Sequence, residues 1–345
     1  MLRSKRSERL EARMGGVSKG RRVSLTSDPG TCQAVDTLPC FARSRPRQLS
    51  RATAMLELLL QTSVNAIYAA SFIALIAVGL VMIFGVMGII NFAHGELYML
   101  GAYVVVYLYA DNRLPYFLAV AVGLIFVGLL GIAMERGLFR PMRDNPLGGL
   151  IVSIGLLLVL QALAVLGFGV RMEHVPNPTR ATLPLFGLDG VSIPLQRLYV
   201  IIAAIALLGS LWFFLRRTSL GWALRACAQD AEAAALQGIS MNQTARLAMC
   251  IGAALAGVAG ALTAPLVRIY PYMGHSIIVT AFIIIIVGGI GSLEGALVAS
   301  ILFAFVHTFV TTFADGVIAD IVGLLLMLLV LVVRPAGLFG VKERA

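Results

Sequence analysis

From residue 59 to residue 333 the chain is a succession of apolar runs, each about 20 residues long. No other feature restricts the fold as strongly. A helix rises about 1.5 Å per residue, so one such run crosses a hydrocarbon core of roughly 30 Å. The runs fall at 59–86, 90–110, 116–134, 147–168, 197–215, 246–267, 276–291, 293–314 and 319–333. Membrane-crossing strands are about half that length and must close into a barrel, so segment length leaves helices. The expected fold is an all-α polytopic membrane helix bundle with about eight to nine hydrophobic segments. Composition agrees: 13% of residues are charged, against about 25% in soluble domains.

Helices in lipid associate through close packing, which small residues permit. Thirty-five glycines suit that need, and the runs at 256–260 (Ala-Gly-Val-Ala-Gly) and 288–291 (Gly-Gly-Ile-Gly) are expected contact points. Residues 1–51 differ in kind. They hold twelve of the 27 basic and four of the 17 acidic residues, so most of the net +10 resides there. With no apolar core of their own, residues 1–54 are expected to be a disordered basic extension. A start at Met55 is the alternative it suggests. Residues 55–340 form the membrane domain. Nucleic-acid binding is not expected. The four cysteines, Cys32, Cys40, Cys227 and Cys250, follow no metal or redox spacing and are expected to be free thiols.

Cytoplasmic loops of membrane proteins carry excess Lys and Arg. That rule places the loop with Arg136, Arg140 and Arg143, and the polar region with Arg216, Arg217, Arg225 and Arg246, on the cytoplasmic side. The proline-containing loop at 169–196 is then outside, and the C-terminus is inside. Nine full crossings would start the first helix outside, whereas the basic tail favours inside. A partial crossing would remove the conflict, and the glycine-interrupted stretches near 85–95 and 288–295 are the candidates. These two stretches, GIINFAHGEL from Gly88 and GGIGSLEGAL from Gly288, resemble each other and point to an internal duplication around a transport path.

Ionisable groups within a span are costly and usually face a cavity or a partner. Asn91, His94 and Glu96 are therefore candidates for the border of a substrate route, with a structural turn as the competing reading. His94 and Glu96 lie two apart and would point apart on a regular helix, but a backbone broken near Gly88 and Gly95 would let both face one cavity. Glu294 reads as a residue of a cytoplasmic or re-entrant turn, with path-lining as the alternative, and His307 as an interhelical hydrogen-bonder rather than a proton relay.

Within the polar region 216–246, Gly221 to Leu236 lacks proline and internal glycine and is rich in alanine, the best helix former. It is expected to be one rigid cytoplasmic helix. Leu220, Leu224, Ala228, Ala231 and Ala235 share one face, and Arg225, Gln229 and Glu232 another. Gly238 is placed for a left-handed cap. Ser240 and Gln243 match a capping box opening the next helix. A helix with a small-residue face between two spans fits a groove on a soluble partner.

Glu232, Ala233 and Ala234 followed by Gly238 fit the EAA-x-x-x-G pattern of ATP-binding-cassette (ABC) importer permeases. With INFAHGELYMLGAY, ALRACAQDAEAAALQGI and GGIGSLEGA, the chain resembles the branched-chain amino-acid permease family of the LivH type over about residues 55–340. It lacks the Leu-Pro pair that extends the pattern in other importers. The resemblance implies a non-enzymatic permease subunit in a bacterial inner membrane. It would work with ABC ATPase subunits, a homologous second permease and a periplasmic binding protein. It also implies that Gly221, Arg225, Asp230, Glu232, Ala233, Ala234 and Gly238 belong to the ATPase-coupling helix. Urea or short-amide permeases are the near alternative, and an ion-coupled secondary carrier the distant one. The sequence agrees with the division of labour. No phosphate-binding G-x-x-x-x-G-K-[ST] loop occurs, and no catalytic triad, metal cluster or cofactor motif is recognisable.

Overall fold

The computed structural model describes residues 51–143, 145–184 and 191–340. The expected extension therefore lies outside the described residues up to position 50, together with Cys32 and Cys40. The helical body starts at Arg51, a few residues earlier than the sequence suggests.

The first helix, α1, runs from Arg51 to Met87. Residues 88–93 are extended or turn-like, and α2 (His94–Val105) follows, prolonged by a π-helical stretch to Asp111. Next come α3 (Tyr116–Met134), continued by π and 3-10 turns to Met142, and α4 (Pro146–Phe168). A hairpin of β1 (Thr182–Pro184) and β2 (Ser192–Pro194) precedes α5 (Leu195–Arg217). The polar region holds α6 (Ser219–Gln229) and α7 (Ala231–Leu236). The chain then re-enters the bundle as α8 (Met241–Thr263), α9 (Met273–Gly288), α10 (Leu293–Phe313) and α11 (Gly316–Val333). Among the described residues, seven helices are long and apolar enough to cross a membrane, and α9 is a shorter apolar helix.

The hydrogen bonds at both ends fix the direction of each pass. Gln61 near the start of α1 accepts from Ser192 N at 3.0 Å, and Arg197 donates to Asn65. The other end of α1 meets the polar region, where Gly85 faces Ala228 and Gly291. α8 runs the opposite way, from the polar region to Leu262, whose carbonyl accepts from Gln196 at the start of α5. Ile269 pairs with Glu173 in the 169–194 loop, so α9 also begins at that end. Leu338 and Phe339 donate to the carbonyls of Val287 and Gly288, bringing the chain's last described residues back to the polar-region end. Nine alternating passes result, with α1 starting at the end opposite α6 and α7. The short passes do not reverse the count, because extended backbone completes them.

The core explains the glycines. α1 and α8 cross where Gly79 faces Gly252, and a Cβ on either would lie 2.6–2.7 Å from the other's carbonyl oxygen. In the 256–260 run, Gly257 meets Gly101 of α2, and Gly260 meets Tyr98. Without a hydrophobic driving force between lipid-embedded helices, this close backbone approach supplies the attraction.

The bundle has an inverted internal repeat. A long helix, a break, a short helix and a return helix occur as α1, 88–93, α2, α3 and again as α8, 264–272, α9, α10. α3 packs along α8 just as α10 packs along α1, and α2 meets α9 where Gly95 abuts Gly274. The expected pairing of 88–95 with 288–295 is thus corrected. The counterpart of Gly95 is Gly274. The 288–295 stretch is the tight turn between α9 and α10, closed by contact of Gly288 with Gly295. Its resemblance to 88–95 came from the glycine each needs for close packing.

Candidate functional site

The broken helix before α2 is the first candidate region. Gly88, at φ +65°, turns the chain back toward the bundle. The carbonyl of Ile76 accepts from His94 Nε2 at 3.1 Å. Ile76 lies eleven residues before the end of α1, so α2 begins roughly 16 Å inside that end. The extended backbone between needs partners at membrane depth. Ser153 of α4 supplies two: it accepts from Phe92 N at 3.2 Å and donates toward Ile90 O at 3.2 Å. Gly149 leaves room for the Ile89 side chain beside it.

Asn91, His94 and Glu96 are all fully buried. The structure does not bring them to one cavity, as the sequence allowed. Asn91 Oδ1 turns back to accept from Ala93 N at 3.1 Å, covering a free donor ahead of α2. His94 reaches α1. Glu96 accepts from Gln161 Nε2 of α4 at 2.9 Å. The regular helical geometry from His94 onward separates the two side chains, since the break ends one residue too early to swing Glu96 round. Each keeps an atom without a partner among the described residues: Asn91 Nδ2, His94 Nδ1 and Glu96 Oε2. Because His94 Nε2 faces a carbonyl it must carry the proton, so a neutral ring presents Nδ1 as an acceptor.

Ser153 and Gln161 were not singled out in the sequence. Their signal was available: they are buried polar residues in the otherwise apolar helix α4, and burial requires polar partners.

The second region is the polar segment between α5 and α8. Thr218 caps α6 by accepting from Gly221 N at 3.0 Å. Gly221 packs on the backbone of Phe214 and Leu215, so the segment folds tightly against the end of α5. Leu224 and Cys227 are buried toward the bundle, and Ala228 rests over Gly85. Arg225 stacks on Trp222 at 4.4 Å.

The expected single helix is broken at Asp230. This residue is extended (φ −156°, ψ 106°), and its carboxylate accepts from Ala233 N at 2.9 Å. An aspartate competes with helix continuation by offering exactly such a local acceptor. α7 then ends as expected at Gly238, with φ +82°. Ile239 N donates to Ala234 O and Gly238 N to Ala235 O, the paired bonds of a Schellman cap. The expected capping box at Ser240 does not form, since the Ser240 side chain makes no cap bond.

The face assignment also changes. Leu220 is exposed, and Ala234 is buried within the chain rather than presented to a partner. Glu232, Ala233, Asp230 and Gly238 are exposed. Leu220, Trp222 and Leu236 are 52%, 61% and 87% exposed. Beyond α7, Arg143 ties the α3–α4 connection to the start of α8, bonding Glu135 at 2.9 Å and Asn242 at 2.8 Å. Glu294, expected in a turn, lies instead in the first turn of helix α10, exposed and 3.4 Å from Arg216.

A polytopic bundle with a broken half-helix and a compact polar segment at one end is the geometry of a transporter subunit. The family model for the permease component of branched-chain amino acid transport systems matches residues 62–331. The chain belongs to that family. BraD of Pseudomonas aeruginosa, a high-affinity branched-chain amino acid transport system permease protein, is 33% identical over 296 residues, 82% of this chain and 96% of that one. LivH of Escherichia coli K12, which bears the same description, is 34% identical over 298 residues, again 82% and 96%. A probable LivH permease of Methanocaldococcus jannaschii is 26% identical over 80% of this chain and 91% of its own length. The solved structure of PsaBC from Streptococcus pneumoniae in complex with Fab is more remote, at 15% identity and a TM-score of 0.45 over 80% and 92%. The permease is thus a multi-pass membrane transport subunit, and the nine passes, the break before α2 and the polar segment are features of a permease.

Proposed function

We propose that this permease carries branched-chain amino acids across the bacterial inner membrane as one subunit of an ABC importer. It works with separate ATPase subunits, a homologous second permease and a periplasmic binding protein. Residues 216–246 are its cytoplasmic coupling loop, and the C-terminus lies on the same side. Family membership over residues 62–331 is the observation that carries this reading.

The geometry gives the coupling a physical form. Leu220, Trp222 and Leu236 expose apolar surface at the bundle end that also holds Arg136, Arg140, Arg216 and Arg217. Exposed apolar groups with a charged surround mark protein-docking surfaces. Beneath them, Leu224 and Ala228 press on the end of α1, and the segment leads directly into α8. Displacement by an ATPase therefore reaches both long helices at the centre of the bundle. The route is read past the broken helix, where Asn91, His94 and Glu96, closed off in this structure, each keep one polar atom without a partner among the described residues.

The test is co-purification with a tagged chain. Trp222→Ala with Leu236→Ser should leave insertion intact and lose most of the ATPase and of the leucine-stimulated ATP hydrolysis. Buried aromatic anchors at interfaces typically contribute about 2 kcal/mol or more. Unchanged ATPase recovery and stimulation would remove the docking role from this segment.

A further inference from the structure

On the opposite half of the molecule a cavity of about 260 Å³ opens between α1, α9, α10 and α11. Its lining combines apolar Phe72, Ile73, Ile277 and Phe303 with polar Ser276, Thr280, His307 and Asp320. His307 Nε2 lies 3.1 Å from Asp320 Oδ1, and the His307 ring stacks on Phe303 at 5.5 Å. Asp320 is 76% exposed although it lies inside a membrane-spanning helix. Two cavities of similar size, one beside Phe126 and one beside Ile205, contain no carboxylate or imidazole.

A carboxylate within a span is unfavourable against lipid and is expected to face water, a partner or a substrate. Asp320 stands one turn from the start of α11, and the cavity reaches inward to Ile76, the level at which α2 begins. It is therefore a vestibule running from the end distant from α6 and α7 to mid-depth. Its mixed lining offers groups for both the polar and the apolar part of an aliphatic α-amino acid. The Asp320 carboxylate can accept from an ammonium group. Ser276 and Thr280 now donate to the carbonyls of Met273 and Ser276, and both hydroxyls can rotate to donate to a carboxylate instead. Phe72, Ile73 and Ile277 would enclose a branched side chain.

We propose that this cavity is a waypoint for the zwitterionic, branched aliphatic amino acid on its route through the permease, with Asp320 holding the ammonium group and Ile277 limiting side-chain size. The inference rests on the importer reading above and adds the site to it.

The experiment uses the assembled transporter in proteoliposomes, supplied with ATP, its binding protein and L-leucine. Asp320→Asn should lower leucine uptake about tenfold or more, as loss of a charge-assisted hydrogen bond does. ATPase co-purification and basal ATP hydrolysis should be retained. Ile277→Ala should raise uptake of L-phenylalanine relative to L-leucine severalfold, a shift that a purely structural residue would not produce. Thr280→Cys in a background without Cys32, Cys40, Cys227 and Cys250 should be protected by leucine from a thiol reagent, and this decides the matter if Asp320→Asn fails to assemble. Normal uptake by Asp320→Asn with unchanged selectivity in Ile277→Ala would overturn the site, as would absence of protection at Thr280→Cys. Failure of the unmodified complex to move leucine at all would instead overturn the importer reading.

Discussion

Gly101 of α2 and Gly257 of α8 face each other so closely that a Cβ on Gly101 would collide with the Gly257 carbonyl oxygen. Both neighbours are helix backbone, which cannot rotate away as a flexible side chain could. Gly101→Ala should therefore separate the helices and destabilise the bundle by about 1–3 kcal/mol, the usual range for overpacking. Gly209 on α5 is the control, because a Cβ there meets nothing within 4 Å. Alanine at that site should be neutral or stabilising by up to about 1 kcal/mol, since it improves helix propensity. Thermal unfolding in detergent distinguishes the two. Equal midpoints for both variants would show that the crossing tolerates the added methyl group. Burial also changes what Ala234 can report. A bulky residue there disturbs the chain's own packing, whereas Trp222 and Leu236 face outward and probe a partner directly.

The polar segment between α5 and α8 shows how one residue divides an element. Residues 219–236 have high helix propensity throughout, yet Asp230 splits them into α6 and α7. The split lets α6 lie on the bundle through Leu224 and Cys227 while α7 turns Glu232 and Ala233 to the surface. Asp230→Ala should remove the acceptor for Ala233 N, at a cost of about 1 kcal/mol to α7. Hydrogen exchange should then quicken at 233–237 and stay unchanged in α6, which has its own cap at Thr218. Unaltered exchange in α7 would mean that packing at Ala234, rather than the cap, holds this helix. The broken helix is the corresponding element within the membrane. Its extended backbone persists because Ser153 and Asn91 satisfy groups that lipid could not.

At the scale of the molecule, the two inverted halves explain the odd number of passes. α1 through α4 make four crossings, α5 adds one, and α8 through α11 make four more in the reverse sense. The Arg136, Arg140, Arg143, Arg216, Arg217, Arg225, Arg246 and Arg334 set lies at the end that holds α6 and α7, in keeping with the proposed cytoplasmic position for that end. Asn177→Cys and Glu232→Cys, each in a cysteine-free background, should react with an impermeant thiol reagent from opposite sides of the membrane. Labelling of both from one side would contradict the nine alternating passes. The pseudo-two-fold arrangement also accounts for the central glycines, since two long helices that cross near such an axis must approach at matching positions, here Gly79 and Gly252.

The sequence by itself determined the helical class, the approximate place of each apolar helix, the glycine contact run at 256–260 and the cap at Gly238. These follow from local quantities: hydropathy over about 20 residues, helix propensity and the freedom of glycine at positive φ. It also marked Asn91, His94 and Glu96 as buried polar residues out of place in lipid. The partners of His94 and Glu96 were not legible, because Ile76 and Gln161 are brought to them by packing across 18 and 65 positions of sequence. The second break, at 264–272, has no run of glycines comparable to 88–95, and only the inverted packing of α9 against α2 exposes it as the counterpart. The same is true of Asp320. In sequence it is a single acid near a helix end. Tertiary structure sets it across from His307 in a cavity of mixed polar and apolar lining, because those groups come from four helices whose proximity depends on close backbone contacts rather than on any local pattern.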